Sequence, residues 1–224
     1  MLRSEINSLI IKAISFLNES HFNLPPWAYW SPETWSEQKA FCSEIFDSQL
    51  GWDLTDFGSG NFQATGLLLF TLRNGHPAKG VKSYAEKIMV VEENQLTPMH
   101  FHWSKMEDII NRGGGNLMIQ LYASTATEEL SKQNFEVSLD GIRRTCSPGE
   151  VVVLRPGESI TLNQGLYHSF YGEPGKGRVL VGEVSAVNDD HSDNRFFETL
   201  GRFPAIEEDE APAYLLISDY ANLN

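Results

Sequence analysis

Pro98-Met99-His100-Phe101-His102-Trp103-Ser104-Lys105-Met106-Glu107-Asp108-Ile109-Ile110-Asn111-Arg112-Gly113-Gly114-Gly115 decides how this chain is read. His100 and His102 stand one residue apart, and side chains so spaced share a face only on an extended backbone, where they alternate with period two. The pair therefore predicts a strand with both imidazoles pointing inward. Glu107 follows across a bend that swings its carboxylate back to the same point, and Gly113 to Gly115 let the chain turn sharply at little steric cost. Imidazole and carboxylate together suit a divalent first-row metal. A fourth ligand, His168, is offered downstream in Gly157-Glu158-Ser159-Ile160-Thr161-Leu162-Asn163-Gln164-Gly165-Leu166-Tyr167-His168. A lone strand histidine is more often a hydrogen-bonded structural residue. With only six histidines in the chain, the joint spacing favours ligation.

The remaining composition sets bounds. A chain of 224 residues can bury one sizeable core, and all-β barrels of this length are commonly one domain. We expect a single domain over 1–224, with residues 1–60 as a helical extension integral to it. A formal net charge of −13 argues against nucleic acid and anionic membrane surfaces as partners. Cys42 and Cys146 form no metal-binding spacing and read as buried free thiols. Met1-Leu2-Arg3-Ser4-Glu5 leads straight into an amphipathic pattern, and no run reaches the roughly 18 apolar residues that span a bilayer. A reducing cytoplasm is the expected address.

In chain order, Ile6, Leu9, Ile10, Ala13, Ile14 and Leu17 recur at three- and four-residue steps and predict a helix with one apolar stripe. Pro25-Pro26 breaks it. Ser31-Pro32-Glu33 then supplies a cap, a first-turn proline and a first-turn acid for a second helix. The aromatics Trp27, Tyr29, Trp30 and Trp35 either pack helices onto a barrel, form a dimer contact or stack on sugar. Beyond Gly58-Ser59-Gly60-Asn61, strand signals arrive in series: 67–73, 83–92, 96–102, 116–122, 135–139, 142–146, 151–154, 159–162, 165–171 and 178–185. Leu139-Asp140-Gly141 reads as a tight hairpin between the two metal segments. Residues 187–197 read as a polar loop, Glu207 to Glu210 as a solvated acidic turn, and Tyr214 to Ile217 as one more candidate strand. About ten short strands make an all-β, closed or nearly closed antiparallel barrel with the N-terminal helices packed on it.

The two histidine segments resemble the paired motifs of the cupin superfamily: His100, His102, Glu107 and Gly114 in the first, Gly157, Gly165 and His168 in the second. Asn94, Asn163 and Gly172 depart from the usual glycine, proline and asparagine, which bears on turn geometry and removes no ligand. The resemblance implies a double-stranded β-helix. Further blocks resemble the D-lyxose isomerase family of bacterial cupins, among them Leu24-Pro25-Pro26-Trp27-Ala28, Phe70-Thr71-Leu72-Arg73-Asn74-Gly75, Tyr84-Ala85-Glu86-Lys87-Ile88-Met89 and Gly182-Glu183-Val184-Ser185-Ala186-Val187-Asn188-Asp189-Asp190. That resemblance implies a homodimeric, manganese-dependent aldose–ketose isomerase acting on D-lyxose and D-xylulose, with D-mannose and D-fructose as further substrates.

Such a reaction needs an acid/base that is not tied up by metal. Glu183 is the first candidate, because a carboxylate on an apolar barrel strand faces a polar cavity or pairs with a core cation. Lys87 is the second: it shares a strand face with Ala85, Met89 and Val91 and could assist proton transfer at an oxygen or bind substrate, unless it is an edge-strand lysine in solvent. Asp190 and Asp193 could bind sugar hydroxyls, or cap a surface loop. A hydride shift is the rival mechanism. A cupin dioxygenase and a non-catalytic sugar-binding cupin are the rival functions.

Overall fold

An amphipathic stripe and a set of alternating strands leave the chain one way to bury both, which is to lay the helix on the outside of a sheet whose other face closes on a second sheet. This is what the computed structural model shows. It describes all residues except 76–81, 188, 190–191, 202–204 and 224. Helix α1 (Arg3–Glu19) is followed by a 3-10 turn (Pro26–Tyr29), α2 (Pro32–Gln38), a second 3-10 turn (Lys39–Phe41) and α3 (Ser43–Asp47). Ser31 caps α2, its hydroxyl accepting from the Thr34 amide at 3.3 Å.

The strands are β1 (Gly51–Thr55), β2 (Leu67–Arg73), β3 (Tyr84–Val91), β4 (Thr97–His102), β5 (Glu107–Gly114), β6 (Leu117–Ala123), β7 (Phe135–Leu139), β8 (Ile142–Cys146), β9 (Val151–Leu154), β10 (Ser159–Leu162), β11 (Leu166–Gly172), β12 (Val179–Ala186) and β13 (Asn194–Phe196). They form an eight-stranded sheet in the order β1-β2-β3-β12-β5-β10-β7-β8 and a five-stranded sheet in the order β13-β4-β11-β6-β9. Every named pairing is antiparallel. The extra hairpin expected between the metal segments is β7–β8, turned at Asp140 and Gly141 with φ of 50° and 81°.

Period-two alternation on β3 sorts its side chains. Ile88 and Val90 face outward with Leu68, Phe70 and Leu180, and there they meet Ile6, Ile10, Ala13 and Leu17 of α1. Met89 and Val91 face inward with Ile109, Ile119, Leu121, Leu154, Ile160 and Val181. Each large aliphatic chain so buried contributes about 1.5–3 kcal/mol. The aromatic cluster is helix packing: Trp35 lies 5.0 Å from Trp30 and 5.2 Å from Tyr220, and Trp27 lies 4.9 Å from Phe70.

Several expectations are corrected. The bend after His102 is confined to a few residues, and Glu107 opens a full strand, β5, with Glu107, Ile109 and Asn111 buried. Its glycines do more than turn the chain. A Cβ on Gly114, at φ +84°, would sit 2.3 Å from the Arg178 carbonyl oxygen, so the backbones approach too closely for any side chain. β1 and β13 are strands where none was expected, since each is short and is stabilised by its partner rather than by its own pattern. Tyr214 to Ile217 holds no strand: Leu216 makes an isolated bridge with Trp52 and the chain enters a 3-10 turn. The acidic run is exposed, as expected, but its carboxylates also hold the start of α1. Arg3, buried, donates to Glu208 at 2.8 and 2.7 Å and to Asp219 at 3.0 and 2.9 Å, while Asp209 and Glu210 hold Ser4 and Asn7. A buried guanidinium needs such partners, and the carboxylates are the nearest supply.

Candidate metal and active site

Residues from both sheets meet at one point between them. His100 and His168 are directly opposed on β4 and β11, and their rings lie 4.2 Å apart, centre to centre. His102, two residues along β4, joins them from the same face. All three are buried. Each has its Nδ1 on a backbone carbonyl: His100 on Pro98 at 2.8 Å, His102 on Asp193 at 3.1 Å, His168 on Leu166 at 3.0 Å. A carbonyl only accepts, so each Nδ1 carries the hydrogen, and a neutral ring so held turns its Nε2 lone pair to the centre. The three histidines offer ligand atoms all within 4.8 Å of one another, a group that could hold a metal ion. Burial, and then His168 and His102 beside it, hold the His100 pKa well below the ordinary imidazole value.

Glu107 comes from the opposite sheet. Its Oε1 lies 3.3 Å from His102 Nε2 and 3.2 Å from His168 Nε2. Adjacent ligand atoms around an octahedral ion with bonds of about 2.1–2.3 Å are separated by about 3.0–3.2 Å. These two separations fit ligands of one divalent cation, while the group whose ligand atoms all lie within 4.8 Å of one another is the three histidines without Glu107. Burial raises the Glu107 pKa, but the Lys105 ammonium and then His102 outweigh it, leaving the carboxyl well below its usual range.

Lys105 was not singled out from sequence. Its ammonium lies 2.7 Å from Glu107 Oε2 and 2.8 Å from Glu183 Oε1, tying the cage to a second carboxylate. Both of the alternatives read for Glu183 are realised, since it lines the cavity and pairs with a core cation. Ser185 donates to its Oε1 at 3.1 Å. Lys87 is opposite Glu183 on β3, with 3.7 Å between Nζ and Oε1. β3 lies between β2 and β12, so Lys87 is a buried central-strand lysine rather than an edge one. The only sequence sign of Lys105 was its place two residues before Glu107 in the bend, where nothing distinguishes it from a solvated loop lysine.

The cavity holds about 80 Å³, against about 10–15 Å³ for one water. It is lined by Lys87, Lys105, Glu107, Glu183 and the three histidines, with Asp53 and Thr55 of β1 and the rings of Phe57, Phe170 and Phe196 on its other walls. Of the two readings given for Asp193, its contacts are those of a loop cap. Its carboxylate accepts from the Ser104 and Lys105 amides at 2.7 and 2.9 Å, capping the bend, and it is not among the lining residues. Asp190 lies outside the described residues.

The family model for D-lyxose isomerase matches residues 1–220. The chain belongs to the D-lyxose isomerase family. A relative from Serratia proteamaculans named D-lyxose/D-mannose isomerase is 49% identical over 223 residues, covering 98% of each chain. One of the same name from Escherichia coli O157:H7 is 50% identical over 224 residues, again covering 98% of each. Among solved structures, the Cellulomonas parahominis L-ribose isomerase with L-ribose aligns at a TM-score of 0.60 and 17% identity, over 92% of this chain and 98% of that one. The Geodermatophilus obscurus L-ribose isomerase aligns at 0.62 and 17%, with the same coverage. These similarities establish the shared fold. It is the expected all-β, cupin-type architecture, with two antiparallel sheets facing each other across a core, the barrel not closed by a continuous ladder among the described residues, and the helices outside.

Proposed function

We propose that this chain interconverts D-lyxose and D-xylulose, and D-mannose and D-fructose, as a metal-dependent aldose–ketose isomerase. One observation carries the reading: three buried imidazoles come together, with Glu107 Oε1 against two of them, beside a second carboxylate, Glu183, that Lys105 links to Glu107. His100, His102, Glu107 and His168 would hold a divalent ion, with manganese our choice because the family resemblance implies it. Bound there, such an ion would supply positive charge to stabilise the negative charge that develops on the sugar oxygens.

The chain's own residues do the rest. Glu183 removes the proton from C2 of the open-chain aldose, and the electron pair forms an enediolate. The same carboxyl then returns the proton to C1 as the ketone forms at C2. Lys105 and Ser185 donate to Oε1, which is also the nearest oxygen to Lys87, and Oε2 is the atom we assign to take up the proton. Lys87, 3.7 Å from Glu183, moves a proton at a substrate oxygen in this reading, and Lys105 fixes Glu183 relative to Glu107. D-Lyxose and D-mannose share their configuration at the reacting carbons and differ by one hydroxymethyl group. Lys87, Lys105, Glu183 and Asp53 set among the apolar walls of Leu67, Leu69, Met89 and Ile109 offer a polyol its hydrogen-bond partners. We extend the reading to a homodimer in the cytoplasm, on the strength of the family resemblance and of the free thiols of Cys42 and Cys146.

Stripping the protein of metal, reloading it with manganese and assaying ketose from lyxose, mannose, xylose and ribose tests the proposal. Turnover of lyxose and mannose above the other two is expected. Bound manganese with no ketose from any aldose would end it.

A further inference from the structure

Among the residues lining the cavity, Phe57 alone, glycines apart, lies in the left-handed backbone region, at φ +54°. For a bulky side chain that conformation is a true outlier, and such strain persists only where its surroundings impose it. The surroundings here are specific. Asp56, buried, accepts from the Gly58 amide on Oδ1 at 2.9 Å and from the Gly60 amide on Oδ2 at 3.1 Å, while the Phe57 amide donates to Thr55 Oγ1 at 2.9 Å. Gly58 packs on Gly201, where an added Cβ would come within 3.0 Å of the Gly201 Cα. The loop after β1 is thus seated on the chain after β13. Its outcome is the position of one ring: Phe57 lies 5.7 Å from Phe196, which lies 5.3 Å from His100. An aromatic pair runs from the histidine cage to the strained turn. A residue needed only to fill the core could do so from an unstrained strand, whereas a wall at a set distance from the cage must be aimed.

We propose that Phe57, aimed by Asp56 and backed by Phe196, is the end wall that limits the length of sugar accepted, and that it sets the preference between a pentose and a hexose. The inference rests on the isomerase reading for the identity of the ligand, and the wall itself rests on geometry. Removing the ring opens room for the extra hydroxymethyl group, and differences of that size in a pocket are worth about 10- to 200-fold.

In Phe57→Ala the ratio of kcat/KM for D-mannose to that for D-lyxose should rise at least about tenfold, with the melting temperature recorded to show the fold intact. Should that variant fail to fold, Phe57→Leu should move the ratio in the same direction by less. Asp56→Ala keeps the ring and loses its aim, and should also raise the ratio, acting on KM more than on kcat. The same comparison made by calorimetry with D-mannitol and D-arabinitol reads the wall without turnover. If wild type turns over neither sugar, the isomerase reading fails while the polyol ratio still tests the wall. A folded Phe57 variant with both ratios unchanged overturns the inference.

Discussion

Replacing Glu183 by glutamine is the substitution that most directly separates holding the metal from doing the chemistry. Glu183 is buried on β12 between β3 and β5, opposite Lys87 and Ile109, so the change must preserve volume. Glutamine does so, and its carbonyl oxygen can still accept from Lys105 Nζ and Ser185 Oγ, where Oε1 now accepts at 2.8 and 3.1 Å. Lys105 keeps its 2.7 Å contact to Glu107, so the cage is not disturbed. Weakening one charge-assisted contact costs about 1–2 kcal/mol of stability. What is lost outright is a group able to take a proton from carbon. Acid–base catalysis of this kind contributes about 10²- to 10⁴-fold, equivalent to about 3–5.5 kcal/mol in the barrier. Because one carboxyl both removes and returns the proton, kcat should fall by at least about 10³. Three measurements belong together: ketose formation, bound manganese by elemental analysis, and uptake of solvent deuterium at the carbon that receives the proton. The expected result is full metal occupancy with turnover nearly abolished. Activity within about tenfold of wild type with metal retained would refute Glu183 as the base. Loss of metal would reassign it to holding the cage. Wild-type turnover without deuterium uptake would favour a hydride shift.

The fold and the histidine cluster make further predictions. Arg3→Met keeps the apolar stem but removes four charged hydrogen bonds. Glu208 is largely exposed and contributes little, so most of an expected loss of about 2–3 kcal/mol comes from Asp219, read as a lower urea midpoint with unchanged slope. Metal-free protein should lose stability on acidification. The His100 pKa is depressed from 6.5 in the fold, so below that value the unfolded chain binds the extra proton, and the stability present above it is lost as pH falls. Glu107, depressed from 4.5, has the same sign and adds a second loss below that value. Denaturant midpoints between pH 8 and about pH 4 check this: a flat profile would contradict a neutral His100.

Much of the molecule could be read from local pattern. The His-x-His pair requires a strand, because only a period-two backbone puts both rings on one side, and His100 and His102 are on β4. The Asp140-Gly141 hairpin, the cap at Ser31 and the apolar stripe of α1 depend on neighbours in sequence and lie where expected. The three histidines that come together were legible because their types and spacing are those that ligation uses. What stayed hidden depends on partners far along the chain. β13 is a strand because β4 offers it a ladder, and Glu208, though exposed, is held at the surface by Arg3, buried some two hundred residues away. Lys105 becomes part of the site only when β5 and β12 bring Glu107 and Glu183 to either side of its ammonium. Sequence alone determined which side chains could bind a metal and which face of each strand they would occupy, since those follow from side-chain chemistry and backbone period. Tertiary structure decided which charges meet and which ring closes the cavity, since burial turns a solvated loop lysine into a bridge and a strained phenylalanine into a wall.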